Sequence, residues 1–279
     1  METDGMPNSD RPEDLPTPVG MVDHLDSAGF GPGEEELAFA RAYVADGEMD
    51  PAVLAMLSDP EHGARNERRK AWRMQRDWPA LSQYRDDNLA RAGTAVDVVF
   101  MGDSLTEMWR IASPGLFGGG HVNRGISGQT TPQMLLRFMA EVVALKPRIC
   151  HLMAGTNDVA GNTGPNTPQD FRNNILAMLD LAKAHGITVI LASLPPFATL
   201  AWSPALGDVS GRVAELNAWL KATAEARGLV FADYFTALTD GQGRMRTDFT
   251  RDGVHPTRRG YEAMEPVLIE SLKLAAKAG

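Results

Sequence analysis

Short apolar runs alternate with amphipathic segments along the second two thirds of the chain. Runs of this length, rich in Val, Ile and Leu, are typical of strands buried on both faces of a parallel sheet. The stretches between them have room for helices, so we expect right-handed crossovers. The pattern therefore predicts an α/β fold, a three-layer α/β/α sandwich around a five-stranded parallel sheet. The predicted strands cover residues 97–101, 121–124, 148–153, 187–191 and 229–232.

The segments between the strands carry signals of helix ends. The pairs at 131–132 and 167–168 both read Thr-Pro, which suits an N-cap residue followed by proline at the first helical position. Gly186 and Gly228 precede the fourth and fifth strands, where glycine commonly closes a helix. The last helix is predicted over 257–278, with a kink at Pro266.

The part of the chain before the first strand divides in two. Residues 1–33 are rich in Pro, Gly, Asp and Ser, which predicts a disordered or loosely draped acidic leader. A helical pattern begins at Glu34, and Asp50-Pro51 has the cap and first residue of another helix. We therefore expect a helical N-terminal extension over 34–92, followed by the α/β domain over 93–279.

The charge is unevenly distributed. The net charge is −9, yet residues 1–60 alone hold 14 acidic and only 2 basic side chains, so the remainder is slightly positive. Residues 65–76 contain six Arg and Lys beside aromatic residues, a mixture that could suit nucleic acid or an anionic membrane. The acidic segment can neutralise this cluster within the molecule. We therefore predict neither a nucleic-acid nor a membrane partner.

The expected location follows from the first residues. Residues 1–14 are acidic and lack an apolar run, which predicts the cytoplasm, although a sequence trimmed of its signal peptide would look the same.

The lone Cys150 lies inside the third apolar run, where a small buried strand residue is a better interpretation than a nucleophile. One thiol forms neither an internal disulfide nor a zinc site.

Small and polar residues follow three of the strands and recur near the end of the chain. They form four blocks: Gly102-Asp103-Ser104-Leu105, Gly125-Ile126-Ser127-Gly128, Gly155-Thr156-Asn157-Asp158 and Asp252-Gly253-Val254-His255. A serine hydroxyl needs a base and a group that orients the base, and an Asp and a His three residues apart can share one loop. Together the blocks resemble the signatures of the SGNH (GDSL) hydrolases, nearest to the platelet-activating-factor-acetylhydrolase-like and bacterial acylesterase branch. The resemblance covers residues 95–279.

The resemblance implies a flavodoxin-like SGNH-hydrolase fold and a role for each matching residue. Ser104 would be the nucleophile, with His255 as its base and Asp252 orienting the base. The oxyanion would be bound by the backbone N–H groups of Ser104 and Gly128 and by the side-chain amide of Asn157. Beside these, Trp109 and Trp202 are candidates for the substrate pocket, with core packing as the alternative. Asp103 and Asp158 are interpreted as turn-stabilising carboxylates.

We therefore expect a serine esterase that needs no metal or cofactor and forms an acyl-enzyme on Ser104. Its substrate would be a small ester with an acetyl to butyryl group, because the loops after the strands are polar and offer little apolar surface to cover a longer acyl chain. A carbohydrate O-deacetylase, a lysophospholipase or thioesterase, and an acyltransferase stay open within the family. A flavodoxin-like binding module without catalysis is the alternative from another class, and a homo-oligomer is left open.

Overall fold

The computed structural model describes residues 20–22, 27 and 29–278 of the chain. Five parallel strands form one sheet in the order β2-β1-β3-β4-β5. This confirms the predicted three-layer α/β/α architecture and strand number. The strands are β1 (Val98–Gly102), β2 (His121–Gly125), β3 (Ile149–Met153), β4 (Thr188–Ala192) and β5 (Val230–Ala232).

Eleven α-helices lie in the described part of the chain, four of them before the sheet. The first four are α1 (Glu34–Val44), α2 (Pro51–Leu57), α3 (Pro60–Arg76) and α4 (Arg85–Ala90). The others are α5 (Ser104–Ala112), α6 (Thr131–Glu141), α7 (Thr156–Ala160), α8 (Pro168–Ala184), α9 (Ser210–Arg227), α10 (Tyr234–Leu238) and α11 (Arg258–Ala278). Pro266 lies inside α11, and its predicted kink stays a prediction.

The two faces of the sheet carry separate apolar cores. Because side chains alternate along a strand, Val99 and Met101 of β1 face one core, and Val98 and Phe100 face the other. Helices α6, α8 and α9 cover the first face, whereas α5, α10 and α11 cover the second. Strand order reverses beside β1, and in open α/β sheets ligands collect at the carboxyl ends of the strands at such a point.

The start of α6 differs from the prediction. Its N-cap is Thr130 instead of Thr131, and the Thr130 N–H donates to Gln133 Oε1 at 3.1 Å. The Thr131 hydroxyl is used elsewhere, since it donates to Asp158 and accepts a hydrogen bond from Asn174 Nδ2 at 3.1 Å, and Thr131 N–H also donates to Asp158. For α8 the prediction is confirmed, since Thr167 Oγ1 accepts a hydrogen bond from Asp170 N–H.

The N-terminal extension packs against the α/β domain. Helix α1 lies on α5 and buries Tyr43 and Val44 in the second core. In α3, Trp72 is buried, while Arg69 and Arg73 form ion pairs with Glu36 of α1 at 3.4 and 3.2 Å. Part of the cationic cluster is thus neutralised within the molecule. The predicted leader, 1–33, lies largely outside the described residues, and the boundary at residue 93 stays a prediction.

In the described part of the chain, none of the helices combines the length and the apolar character that a membrane crossing requires.

Candidate active site

The candidate nucleophile lies at the junction of β1 and α5. The strand ends at Gly102 and the helix begins at Ser104, so Asp103 alone makes the turn. Asp103 Oδ1 accepts a hydrogen bond from Leu105 N–H at 3.0 Å and thereby caps α5. The turn places Ser104 at the carboxyl edge of the sheet and at the N-terminus of α5, where the helix dipole favours negative charge.

The predicted acid and base residues meet this serine. Ser104 Oγ lies 2.9 Å from His255 Nε2, and His255 Nδ1 lies 2.7 Å from Asp252 Oδ2. Asp252 Oδ1 also accepts the backbone N–H groups of Val254 and His255. Burial raises the pKa of Asp252, but hydrogen bonds and charge from His255 outweigh it and hold that pKa well below its usual range. The carboxylate therefore stays ionised and orients the imidazole.

The three predicted oxyanion donors follow β1, β2 and β3, whose carboxyl ends lie side by side. Gly128 has a φ of +80°, in the left-handed region that glycine adopts without strain. Asn157 Nδ2 donates to Gln129 O at 3.0 Å and to Asp103 Oδ2 at 3.2 Å. The amide nitrogen of Asn157 thus faces the turn that carries Ser104, and an oxyanion would replace one of these two acceptors.

A chain of hydrogen bonds sets the direction of that amide. The indole of Trp202 can only donate, and its Nε1–H donates to Asn162 Oδ1 at 3.2 Å. Asn162 Nδ2 must then be the donor to Asn157 Oδ1, at 2.7 Å, and to Gly128 O, at 3.3 Å. Because the Asn157 oxygen is held by Asn162, its nitrogen is left to face Asp103 and Gln129. Sequence reasoning missed Asn162, which no signature block contains.

The comparisons with known proteins place this arrangement in a family. The sequence profile of the GDSL-like Lipase/Acylhydrolase family matches residues 100–263, more than half of the chain. The chain belongs to the GDSL-like lipase/acylhydrolase family. Membership makes it a carboxylic ester hydrolase by class, and it confirms the resemblance seen in the four blocks.

Solved structures agree with the profile. A GDSL-like lipase from Bacteroides thetaiotaomicron VPI-5482 is 38% identical, with a TM-score of 0.69, over 71% of this chain and 100% of that one. A candidate acylhydrolase from Bacteroides fragilis NCTC 9343 is also 38% identical, with a TM-score of 0.67, over 71% of this chain and 97% of that one. Both solved structures are therefore matched over nearly their whole length.

A curated relative bears on the expected location. The "uncharacterized lipoprotein YqeF" of Bacillus subtilis (strain 168) is 38% identical over 78 residues, which are 27% of this chain and 32% of that protein. The chain therefore matches about a third of the length of this relative. The predicted cytoplasmic location is contradicted by this finding, since the relative is named a lipoprotein. That prediction rested on residues 1–14, and the lack of an apolar run there does not determine where a protein acts.

The structure separates the two tryptophans proposed for the pocket of this GDSL-family enzyme. Trp202 is 42% exposed, and its ring centroid lies 5.8 Å from that of His255, which places it at the site. Trp109 is 0% exposed and packs against Phe100, Tyr234 and other rings of the second core. Its predicted pocket role is therefore wrong, because α5 turns it away from solvent and the alternative of core packing holds.

Two buried carboxyl groups lie beside the donors. Burial raises the pKa of Asp103 to about 7, and the nearby Asp158 adds to this. Burial likewise raises the pKa of Asp158 to about 6, although Thr131 donates to it from N–H and hydroxyl. Asp103 stabilises its own turn, as predicted. Asp158 was expected to stabilise its own turn, but it accepts hydrogen bonds from Thr131 at the start of α6, which is 27 residues away in the sequence.

Two further charged side chains hold the loops that carry the site, and sequence reasoning missed both. Arg137 is fully buried and donates to Gly102 O at 2.9 Å, to Arg124 O at 2.8 Å and to Gln129 Oε1 at 2.6 Å. It therefore joins the ends of β1 and β2 to the loop after β2, with Glu141 as counter-ion. The i, i+4 spacing of Arg137 and Glu141 could have indicated a helical ion pair, although not its targets.

Glu107 holds the Gly128 loop from the other side. Its carboxylate accepts a hydrogen bond from Ser127 N–H at 2.8 Å. Helix α5 reaches the loop because it lies directly against β2: a Cβ at Gly125 would stand 2.1 Å from the backbone nitrogen of Glu107. Glycine is required at that position by this close approach.

Two other features concern the lone cysteine and the grouping of side chains that can bind metals. Burial raises the pKa of Cys150 to about 12, which agrees with its interpretation as a strand residue and disfavours a thiolate. Within the described ranges, no group of three or more His, Cys, Asp or Glu side chains is arranged to hold a metal ion.

Proposed function

We propose that the protein hydrolyses small carboxylic esters through an acyl-enzyme on Ser104. The observation that carries this proposal is the unbroken chain from Ser104 Oγ through His255 to Asp252, with distances of 2.9 and 2.7 Å. His255 Nε2 takes the hydroxyl proton as Ser104 attacks the ester carbonyl, and then gives it to the leaving alcohol. Water then attacks the acyl-enzyme with His255 again as base, the bond to Ser104 Oγ breaks, the carboxylic acid leaves, and His255 returns the proton to Ser104.

The negative charge on the attacked oxygen would be stabilised from three directions. The N–H groups of Ser104 and Gly128 have no acceptor within the part of the chain that the structure describes. Asn157 adds a neutral donor whose direction is set by Asn162. Donors that are already oriented cost no reorganisation as the charge develops, so they stabilise the transition state more than the ground state.

The surroundings of Ser104 favour a short acyl group. Each buried methylene is worth about 0.8 kcal/mol, provided that apolar surface is available to cover it. Of the three aromatic residues near the ends of the strands in the sequence, Trp109 and Phe197 are 0% exposed. Only Trp202 of these three is left to contact a substrate, and one indole suits acetyl to butyryl groups.

The test is the ratio kcat/KM for a series of p-nitrophenyl esters from acetyl to dodecanoyl. We expect the highest values for the acetyl to butyryl members, and we expect Ser104→Ala to lower kcat by roughly 10⁶. His255→Ala combined with Ser104→Ala should cost little more than either alone, because the two side chains act as a unit. A profile that rises beyond the octanoyl ester would refute the short acyl group. Turnover by Ser104→Ala at the wild-type rate would refute the serine mechanism.

A further inference from the structure

Helix α1 lies outside residues 100–263, which the family profile matches, yet it reaches the loop that carries Asp252 and His255. The hydroxyl of Tyr43 donates to His255 O at 3.1 Å. The hydroxyl oxygen of Tyr43 also accepts hydrogen bonds from Arg251 N–H at 3.2 Å and from Asp252 N–H at 3.1 Å. The phenol thus acts on this loop both as a donor and as an acceptor.

The loop also holds the helix. The guanidinium of Arg251 donates to Tyr43 O at 3.0 Å, to Ala45 O at 2.8 Å and to Gly47 O at 2.7 Å. These carbonyl groups lie at and beyond the C-terminal end of α1, where helical carbonyls lack partners and a cation is favoured. Tyr43 and Arg251 thus bind each other's backbone, and the contact joins positions that are 208 residues apart.

The Tyr43 ring adds packing to the hydrogen bonds. Its centroid lies 5.9 Å from that of His255 with the planes at 77°, an edge-to-face arrangement. Tyr43 is only 4% exposed, so its hydroxyl bonds are shielded from water. Burial raises the pKa of Tyr43 well above its usual range, and the phenol therefore remains a neutral donor.

We infer that Tyr43 is a positioning residue of the esterase, which fixes the backbone around Asp252 and the carbonyl of His255 so that the imidazole meets Ser104. The inference rests on the proposed roles of these three residues. Within the loop itself, Thr250 Oγ1 donates to His255 O at 2.7 Å and accepts from Gly253 N–H at 3.0 Å. These are local contacts, whereas Tyr43 ties the loop to a helix that is itself packed on α5.

The test is Tyr43→Phe in the full chain, which keeps the ring and removes the hydroxyl. The loop loses three hydrogen bonds, and a misplacement of the base by about 1 Å can cost about 10²-fold in rate. We expect kcat to fall roughly 10- to 100-fold while KM changes by less than about twofold, because the loss concerns the transition state. The rate at which a fluorophosphonate modifies Ser104 should fall by the same factor, since it reports the activated hydroxyl directly.

Tyr234→Phe is the matched control. Its hydroxyl is also buried and lies 2.9 Å from His151 Nε2 in the second core, and among the described residues it forms no hydrogen bond with the Asp252–His255 loop. We expect this variant to lose stability but to keep kcat, once activity is normalised to the folded fraction measured by circular dichroism. Equal losses of kcat in both variants would overturn the role of Tyr43, and so would an unchanged kcat in folded Tyr43→Phe.

Arg251→Gln tests the same contact from the other side and serves if Tyr43→Phe does not fold. It should also lower kcat, and the double variant should cost little more than the worse single one, because neighbours that share one contact are not additive. An unchanged kcat in Arg251→Gln, or full additivity, would overturn the inference. If Ser104→Ala kept wild-type turnover, the proposed function would fail first and the inference with it. An inactive Ser104→Ala beside a fully active Tyr43→Phe would overturn the role of Tyr43 alone.

Discussion

Asp103 is a buried carboxyl group whose ionisation should oppose folding, and Asp103→Asn isolates that effect. Burial raises the pKa of Asp103 from 3.8 to about 7. Between these two pH values the folded protein therefore holds a proton on Asp103 that the unfolded chain has released. The stability that the protonated group contributes is complete below pH 3.8 and is lost as the pH rises through about 7. At 1.36 kcal/mol per pH unit, a difference of about three units corresponds to about 4 kcal/mol.

The assay is the free energy of unfolding from urea titrations at pH 4 and pH 8. Asn caps a helix as well as Asp does, so Leu105 N–H keeps its acceptor. The NH₂ group that the substitution introduces cannot accept the hydrogen bond from Asn157 Nδ2, and this loss cancels in the comparison because it occurs at both pH values. Relative to the wild type, we expect Asp103→Asn to gain up to about 4 kcal/mol between pH 4 and pH 8.

A suitable control is Asp50→Asn, which makes the same change at the exposed cap of α2, where Asp50 accepts from Ala52 N–H. The gain of Asp103→Asn between pH 4 and pH 8 should clearly exceed any change that this variant shows. If the difference between Asp103→Asn and the wild type were the same at pH 4 and pH 8, the argument that burial suppresses ionisation of Asp103 would be wrong.

Two further variants test the oxyanion donors through steady-state kinetics. Asn157→Ala should lower kcat by about 10² to 10³ with little change in KM, because the Asn157 amide donates its strongest hydrogen bond in the transition state. A change in KM alone would instead make Asn157 a residue that binds the substrate in the ground state. Trp202→Phe keeps an aromatic ring but leaves Asn162 Oδ1 without its donor, so a loss of about 1 kcal/mol, or roughly fivefold in kcat, is expected. An unaltered kcat with a raised KM would show that Trp202 only contacts the substrate and does not orient Asn157 through Asn162.

The sheet could be predicted from the sequence because its signals are local. Four of the strands are apolar runs closed by small or polar residues, whereas β2 has Val122 as its one apolar residue; the predicted bounds of all five agree with the structure within one residue at each end. The residual differences have simple causes. Strand β1 extends to Gly102 because this residue still pairs with Gly125 in the ladder, although glycine has no side chain to mark it as apolar. The catalytic blocks were also local, since each occupies one turn or loop.

The supports of the site could not be predicted, because they join side chains to backbone groups that lie far away in sequence. Arg137 was indistinguishable from a surface arginine until the fold brought the ends of β1 and β2 beside it. Trp109 and Trp202 each follow a signature block in the sequence, yet one is 0% exposed and the other 42%. The burial of Trp109 could have been predicted, because Leu105, Met108, Trp109 and Ala112 form an i, i+3, i+4, i+7 apolar stripe on α5, the pattern of a helix face that packs on a core.

The surroundings of His255 show how family chemistry and features of this chain are combined. The imidazole lies beside two aromatic rings, Tyr43 at 5.9 Å and Trp202 at 5.8 Å between centroids. Neither ring belongs to a signature block: one comes from α1 of the extension and the other from the segment between β4 and α9. Tyr43 binds the loop that carries His255, whereas Trp202 orients the amide of Asn157 through Asn162. In the proposed mechanism the four blocks supply the reacting groups, and these two segments position them.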